Sequence, residues 1–221
     1  MKKPLILFGT GDIAQLAHYY FTTDSEYEVV SFTVDADYLQ DKTFCGLPVV
    51  PFEELTQQYP PDHYDLFVAL GYSKINAVRK EKYLAAKASG YQLATFLSSY
   101  ATVLNASSVG ENCFILEDNT IQPFVTIGNN VTLWSGNHIG HHTMIKDHAF
   151  IASHVVISGG VKIGEQCFIG VNATLRDHIT IGDRCVIGAG ALLLTDVEAE
   201  GVYMETATER SRVPSSRLRR I

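Results

Sequence analysis

Positive charge is in short supply in this sequence. Seventeen Lys and Arg against 24 Asp and Glu leave a net charge of −7, which argues against wholesale nucleic-acid binding, because that interaction runs on clustered cations. The exception is local: Arg210, Arg212, Arg217, Arg219 and Arg220 crowd the last dozen residues. Such a run is either a solvated tail or a set of counter-charges for an anionic ligand. Long apolar runs are missing as well. No stretch approaches the ~18–20 residues that a membrane span needs, and the opening MKKPLILFGTGD breaks into a Gly turn too early for a secretory signal. Cysteine is sparse: Cys45, Cys113, Cys167 and Cys185 show no C-x-x-C or C-x-x-H spacing. Neither a metal site nor a disulfide framework is therefore expected, and a reducing cytoplasm fits. What is present, 46% hydrophobic and 19% charged residues over 221 positions, is the composition of a globular chain of one domain or two small ones.

Residues 1–96 alternate between strand-like and helix-like segments. The apolar run Pro4–Phe8 ends in Gly9-Thr10-Gly11-Asp12, an amphipathic stretch follows (Ile13, Leu16, Ala17, Tyr20), and a β-rich run, Tyr27–Val34, closes on Asp35. A loop is expected through Val49-Val50-Pro51, a short helix over Phe52–Gln58, a strand over Asp65–Leu70 ending in Gly71, helix over Lys74–Ser89 by its composition and a last strand at Gln92–Phe96. Alternation of this kind implies a parallel sheet with crossover helices, a small Rossmann-like α/β unit.

From about residue 97 the pattern changes. Val103, Val109, Ile115, Ile121, Ile127, Leu133, Ile139, Ile145, Ile151, Ile157, Ile163, Ile169, Leu175, Ile181, Ile187 and Leu193 stand six apart without a slip, and Gly follows seven of them. Neither a helix nor an alternating strand has this period. A hexapeptide β-helix does, with each repeat making one flat wall and one corner and three repeats closing a coil. The aliphatic points into the prism, where rungs stack at the ~4.8 Å strand spacing. Two positions earlier stand slim residues, among them Cys113, Cys167 and Cys185, which reads those thiols as packing groups. Val109 to Leu193 spans fifteen repeats, about five coils. The expected organisation is therefore 1–96 as a Rossmann-like domain, 97–203 as a left-handed parallel β-helix and 204–221 as a C-terminal tail. Trp134, His138, His141, His142, His148 and His154 crowd one stretch of coil, a density that suggests wall-to-wall packing of several prisms.

A small α/β domain with G-T-G-D, followed by a hexapeptide helix carrying Asn137-His138-Ile139-Gly140-His141-His142, resembles the nucleotide-sugar N-acyltransferases of the PglD, NeuD and perosamine-acetyltransferase group. The resemblance runs to about Tyr203. It implies a homotrimer that moves an acetyl group from acetyl-CoA to the amine of a nucleotide-linked amino sugar, expected to be UDP-linked, for bacterial surface glycan, lipopolysaccharide or glycoprotein synthesis. By position it implies His141 as the catalytic histidine and Gly159, in Ser158-Gly159-Gly160, as the glycine facing the thioester. The acidic partner expected beside the histidine is replaced here by His142, and a carboxylate would support an imidazolium better than a second imidazole does. Independently of the resemblance, the eighteen residues between His141 and Gly159 put the two on adjacent coils at one corner. The resemblance further implies that Gly159, Gly170, Asn172, Ala173, Gly188 and Ala189 line the coenzyme. The G-x-P-A segment that closes such proteins is replaced by Met204-Glu205-Thr206-Ala207.

In the first half, Gly9, Thr10, Gly11 and Asp12 lie between a strand and a helix, where glycines let the backbone approach a phosphate at the helix N-terminus. Asp35, at the end of the next strand, is placed to accept ribose or uracil hydrogen bonds. Gly71, Tyr72 and Ser73 end another strand on the same edge. Gly9, Gly11 and Ala14 also satisfy G-x-G-x-x-A with Asp35 as the ribose acid, so an NAD-linked oxidoreductase is the alternative from another class. A non-catalytic protein that binds a nucleotide sugar is a third. His138, His148, His154 and His178 read as corner or wall residues, and a zinc site is not supported by any accompanying Cys or carboxylate spacing.

Overall fold

A computed structural model describes residues 2–104, 108–206 and 217. Its first part is a five-stranded sheet. β1 (Lys3–Phe8), β2 (Tyr27–Val34), β4 (Leu47–Pro51) and β5 (Asp65–Val68) are parallel, β3 (Thr43–Phe44) is antiparallel, and the order is β3-β4-β2-β1-β5. Leu5, Ile6 and Leu7 have no exposed surface, as expected of a strand covered on both faces. Helix α1 (Asp12–Thr23) buries Ala14, Ala17 and Phe21 at helical spacing against one face.

Three sequence expectations need correction here. Val49-Val50-Pro51 belongs to β4, not to a loop, because its proline ends an edge-proximal strand where its missing N–H is tolerated. Helix α3 runs over Ala77–Ala88 and starts late, because Lys74, Ile75 and Asn76 all adopt positive φ, 52°, 52° and 63°. Gln92–Phe96 is not a strand of this sheet: Leu93 makes a single bridge to Leu66, while Phe96–Leu97 is already the first rung of the prism, paired with Phe114–Ile115. The short helix comes as a 3₁₀ turn over Phe52–Glu54 and α2 (Leu55–Gln58).

The second part is the left-handed β-helix. Two-residue strands pair in parallel with those eighteen residues away, shortening to sixteen only at the last coil (Val186 with Val202), and so build three walls. Wall A carries the rungs at 126, 144, 162 and 180; wall B those at 96, 114, 132, 150, 168, 186 and 202; wall C those at 102, 120, 138, 156, 174 and 192. The aliphatics from Ile115 to Leu193, with Cys113, Cys167 and Cys185, form one continuous buried core. Each corner ends in a residue of positive φ, including Asn112, Asp118, Phe124, Asn130, His142, His148, His154, Gln166, Asn172, His178 and Arg184, with Gly136, Gly160 and Gly190 in the same series. Most of these are Asn, Asp, His or Gly, the types that enter the left-handed region most readily, while Phe124, Gln166 and Arg184 are not. The closing of the coil imposes it, and the core repays it: each buried Ile contributes about 1.5–3 kcal/mol.

The sheet sits on wall B and on the corner between walls A and B. Phe114, Phe96 and Trp134 pack into the cluster that contains Phe21, Phe32 and Phe67, and Tyr72 lies 5.0 and 4.8 Å from the Phe150 and Phe168 rings. At the corner, Asn112 takes the β5 backbone through Val68 N–H at 2.8 Å, and Asn76 donates to Cys167 O at 3.0 Å. Arg79 is 1% exposed. It donates to Asn76 Oδ1, Asn130 O and His148 O, and its guanidinium lies 5.9 Å from the Phe150 ring centre. Burial lowers the Arg79 pKa to about 10. Trp134 and His148 thus both have partners inside the chain.

Candidate active site

The opposite corner, between walls C and A, carries His141. The strand His138–Ile139 enters it and Gly140 lets two coils touch: a Cβ there would lie 2.5 Å from Gly159 N. The His141 ring lies over Gly159, where a Cβ would meet its Cε1 at 2.5 Å and Nε2 at 2.7 Å. The eighteen-residue spacing therefore does bring the two together, and the ring occupies the space that any side chain at 159 would need. His141 Nδ1 lies 3.1 Å from His142 Nδ1. Gln122 Oε1 accepts the His141 backbone N–H at 2.8 Å, and the Phe124 ring stacks on His142 at 4.7 Å, tilted by 35°. Both imidazoles are exposed in the single chain. Gln122 and Phe124 were not singled out from sequence, although the coil repeat places both next to the pair.

Apart from Gly159, the proposed coenzyme residues fall elsewhere. Gly170 and Gly188 follow wall B rungs and stack on one another, a Cβ on Gly170 meeting the Gly188 carbonyl carbon at 2.7 Å and Ala189 N at 2.6 Å. Asn172 holds the next corner with φ 58° and is exposed, as is Ala189. Ala173 has no exposed surface; its methyl packs the core, which leaves only its backbone for a ligand. This corner, between walls B and C, is separated from His141 by the whole of wall C within one chain.

In the sheet, an open cleft of about 620 Å³ lies beyond the C-terminal ends of β1 and β2, lined by Phe8, Gly9, Thr10, Asp35, Ser73, Lys74 and Lys82 among others. Gly9 has φ 124°, and a Cβ would sit 2.9 Å from Ala69 O. Gly11 caps α1 with open space around its Cα, beside exposed Asp12. Asp35 lines the cleft as expected but is already paired: its Oδ2 lies 2.8 Å from Lys82 Nζ. Burial alone would lower the Lys82 pKa, but Asp35 and Glu81 reverse this and raise it. Lys82, from α3, is the cleft residue that sequence reasoning missed. Of Gly71, Tyr72 and Ser73, only Ser73 lines this cleft; Tyr72 faces Phe150 and Phe168, and Gly71 lies against Ile13.

The tail arginines Arg210, Arg212, Arg219 and Arg220, and Ala207, lie outside the described residues. Among the described residues no cluster of three or more His, Cys, Asp or Glu is placed to hold a metal ion, and no helix is long and apolar enough to cross a membrane.

Comparison with curated protein sequences finds no match. Comparison with solved structures finds the same fold throughout. The acetyltransferase domain of PglB from Neisseria gonorrhoeae FA1090 in complex with acetyl coenzyme A superposes with a TM-score of 0.81 at 22% identity, over 93% of this chain and 97% of that one. A variant of perosamine N-acetyltransferase from Caulobacter crescentus, in complex with CoA and GDP-perosamine, gives 0.80 at 23% identity over 91% and 93%. WeeI from Acinetobacter baumannii AYE gives 0.75 at 19% over 90% and 94%. Residues 106–141, 124–159 and 160–195 match the family profile for the bacterial transferase hexapeptide (six repeats). Residues 106–195 therefore carry the repeat that this profile describes, and the chain as a whole has the fold of these solved structures.

Proposed function

We propose that this protein is an acetyl-CoA-dependent N-acetyltransferase acting on the amino group of a nucleotide-linked amino sugar. The observation that carries the reading is the exposed His141 imidazole lying over the Cα of Gly159. The sugar amine attacks the thioester carbonyl and forms the C–N bond. His141 takes a proton from the amine, the Gly159 N–H supports the developing oxyanion, and the C–S bond breaks to release coenzyme A. General-base assistance of this kind is worth about 10²–10⁴-fold, and one oxyanion donor about 10²–10³-fold. A thioester is already activated, so direct transfer needs no Ser or Cys nucleophile.

The cleft with Gly9, Thr10, Ser73, Lys74 and Lys82 offers glycine backbone and two ammonium groups to a diphosphate, with Asp35 at the base or ribose. The sheet covers wall B, while His141 sits on the opposite edge of the prism. A sugar held in one chain's cleft is thus better placed for the histidine of a neighbouring copy, which supports a homotrimer with acetyl-CoA along Gly170, Asn172, Gly188 and Ala189 of one prism and His141 of the next. A place in cytoplasmic synthesis of surface glycan follows from the same reading. A UDP sugar is the first substrate to try, and the fold's likeness to a protein that holds GDP-perosamine puts GDP sugars beside it. Coenzyme A release, followed with a thiol reagent, across UDP-, dTDP- and GDP-linked amino sugars is the test. Release with a single nucleotide class is expected, and none with any of them would reject the reading.

A further inference from the structure

The partner of the base is the point at which this chain goes its own way. A general-base imidazole needs its far nitrogen protonated and held, so that the lone pair faces the substrate. At this corner the atom 3.1 Å from His141 Nδ1 is His142 Nδ1. Two imidazole nitrogens at that distance share one proton. Since His141 Nε2 is the nitrogen over Gly159, the arrangement that leaves it a lone pair has His141 Nδ1–H donating to His142 Nδ1. His142 is then the tautomer protonated on Nε2.

We infer that His142 is the positioning residue and proton acceptor of a two-imidazole relay. The inference rests on the transferase reading given above. As the amine N–C bond forms, its proton passes to His141 Nε2, and the Nδ1 proton of His141 passes to His142 Nδ1. The positive charge then resides on His142, while His141 stays neutral. When the C–S bond breaks, the Nε2 proton goes to the departing sulfur and His142 returns its Nδ1 proton to His141. No atom or charge is left over. His142 is held for this task by its backbone, with φ 59° at the corner and its N–H on Pro123 O, and by the Phe124 face at 4.7 Å. Phe124 stands at the equivalent corner position one coil earlier with φ 65°, so the corner backbone accepts a large apolar residue there.

The relay differs from a carboxylate partner in one measurable respect. An ionised carboxylate accepts the Nδ1–H, whereas an imidazole stops accepting once it holds its own proton. The other charged or titratable groups described on this corner are Arg176, Asp177 and His178, one coil past Ser158-Gly159-Gly160, with His138 on the strand leading in and Lys162 and Lys146 on wall A. Phe124, Gln122 and the backbone of Gly159-Gly160 contribute no charge against the pair.

The test uses the full chain with His142→Leu, His142→Gln and His142→Glu. Nitrogen-15 shifts of the histidine rings, with His141 assigned by its own substitution, are expected to show Nδ1 protonated in the wild type. The Gln and Glu variants should retain this form, and the Leu variant should revert to the Nε2-protonated form that free imidazole side chains favour. In turnover, His142→Leu should lower kcat on the order of 10²-fold and His142→Gln on the order of tenfold. His142→Glu should stay near wild type, with the acid limb of its pH profile moved to higher pH by the added negative charge. KM for both substrates should stay put in all three. An unchanged His141 tautomer in His142→Leu, or wild-type kcat in that variant, would overturn the relay. The ring shifts need no turnover, so they decide the pairing even if no nucleotide amino sugar releases coenzyme A, an outcome that would reject the transferase reading instead.

Discussion

His142 and His148 occupy the same place in the six-residue repeat, with φ of 59° and 65°, yet their surroundings are opposite. His148 is 4% exposed, receives the Asn130 amide on Nδ1 at 2.9 Å and stacks edge-on to Tyr83 at 5.3 Å. Its pKa falls to about 4, chiefly through burial and next through Lys80, against the opposing pull of Asp147 and Glu165. His142 stands exposed with a second imidazole for a neighbour. One corner has been closed by the sheet and its histidine made a fixed neutral strut; the other has been left open with its histidines able to exchange protons. The repeat sets backbone, and what docks on a corner sets chemistry.

The largest effect should come from the open corner. His141→Ala is expected to lower kcat by about 10²–10⁴-fold with the chain still folded, since no core position is touched. Gly159→Ala should come close to this, because the added Cβ would lie 2.5 Å from His141 Cε1 and the ring must leave. Steady-state kinetics beside a circular-dichroism melt separates the two halves of that statement. A Gly159→Ala protein with full kcat would show that the His141 ring position over the coil is not the working one.

At the closed corner the same kind of change should act on stability. Arg79→Met leaves Asn130 O and His148 O without their guanidinium donor and removes a buried group, so unfolding free energy should fall by about 2–4 kcal/mol. Urea unfolding measures it, and a change within about 0.5 kcal/mol would mean that water or a shifted Asn76 replaces the arginine. His148 adds a pH signature. Its folded pKa, about 4, lies below the ordinary 6.5, so the unfolded chain binds the proton first as pH falls. Stability from this group is full above about 6.5 and drains away toward 4, by up to about 3 kcal/mol. Melting temperatures across pH 4–7 should therefore flatten in His148→Asn, relative to the wild type.

This contrast also marks what could be read in advance. The core from Ile115 to Leu193, the corner positions and the His141–Gly159 neighbourhood all follow from one period, because a coil repeats its contacts every eighteen residues. Nothing local announces that Arg79, Asn76 and Lys82 matter. Arg79 in α3 and Asn76 just before it acquire their partners from a prism corner 51 to 91 residues away in sequence, and Lys82 finds Asp35 at the end of β2. The three successive positive-φ residues Lys74–Asn76 lack any glycine, so the delayed start of α3 was invisible as well. Val49-Val50-Pro51 read as a loop because proline punctuates it, while its pairing with Phe32, Thr33 and Val34 is a tertiary fact.

The smallest expected effect tests whether the two ends of the molecule divide the labour of binding and chemistry. Asp35 lines the cleft but spends its carboxylate on Lys82 at 2.8 Å. Asp35→Ala should remove an acceptor for ribose or base and free Lys82 to swing, raising KM for the nucleotide sugar about tenfold, roughly 1.4 kcal/mol of binding. The KM for acetyl-CoA and kcat should hardly move, since a group that binds ground state and transition state alike affects only the first. Lys82→Met discriminates further. If the ammonium meets the diphosphate directly, its loss should raise the sugar KM more than loss of Asp35 does, and more at low salt than at high. If Lys82 only restrains Asp35, both variants and the double variant should give the same KM, because each removes the same pair. A kcat loss in Asp35→Ala comparable to that in His141→Ala would break the division altogether, placing the cleft's carboxylate at the reacting atoms and not at the nucleotide.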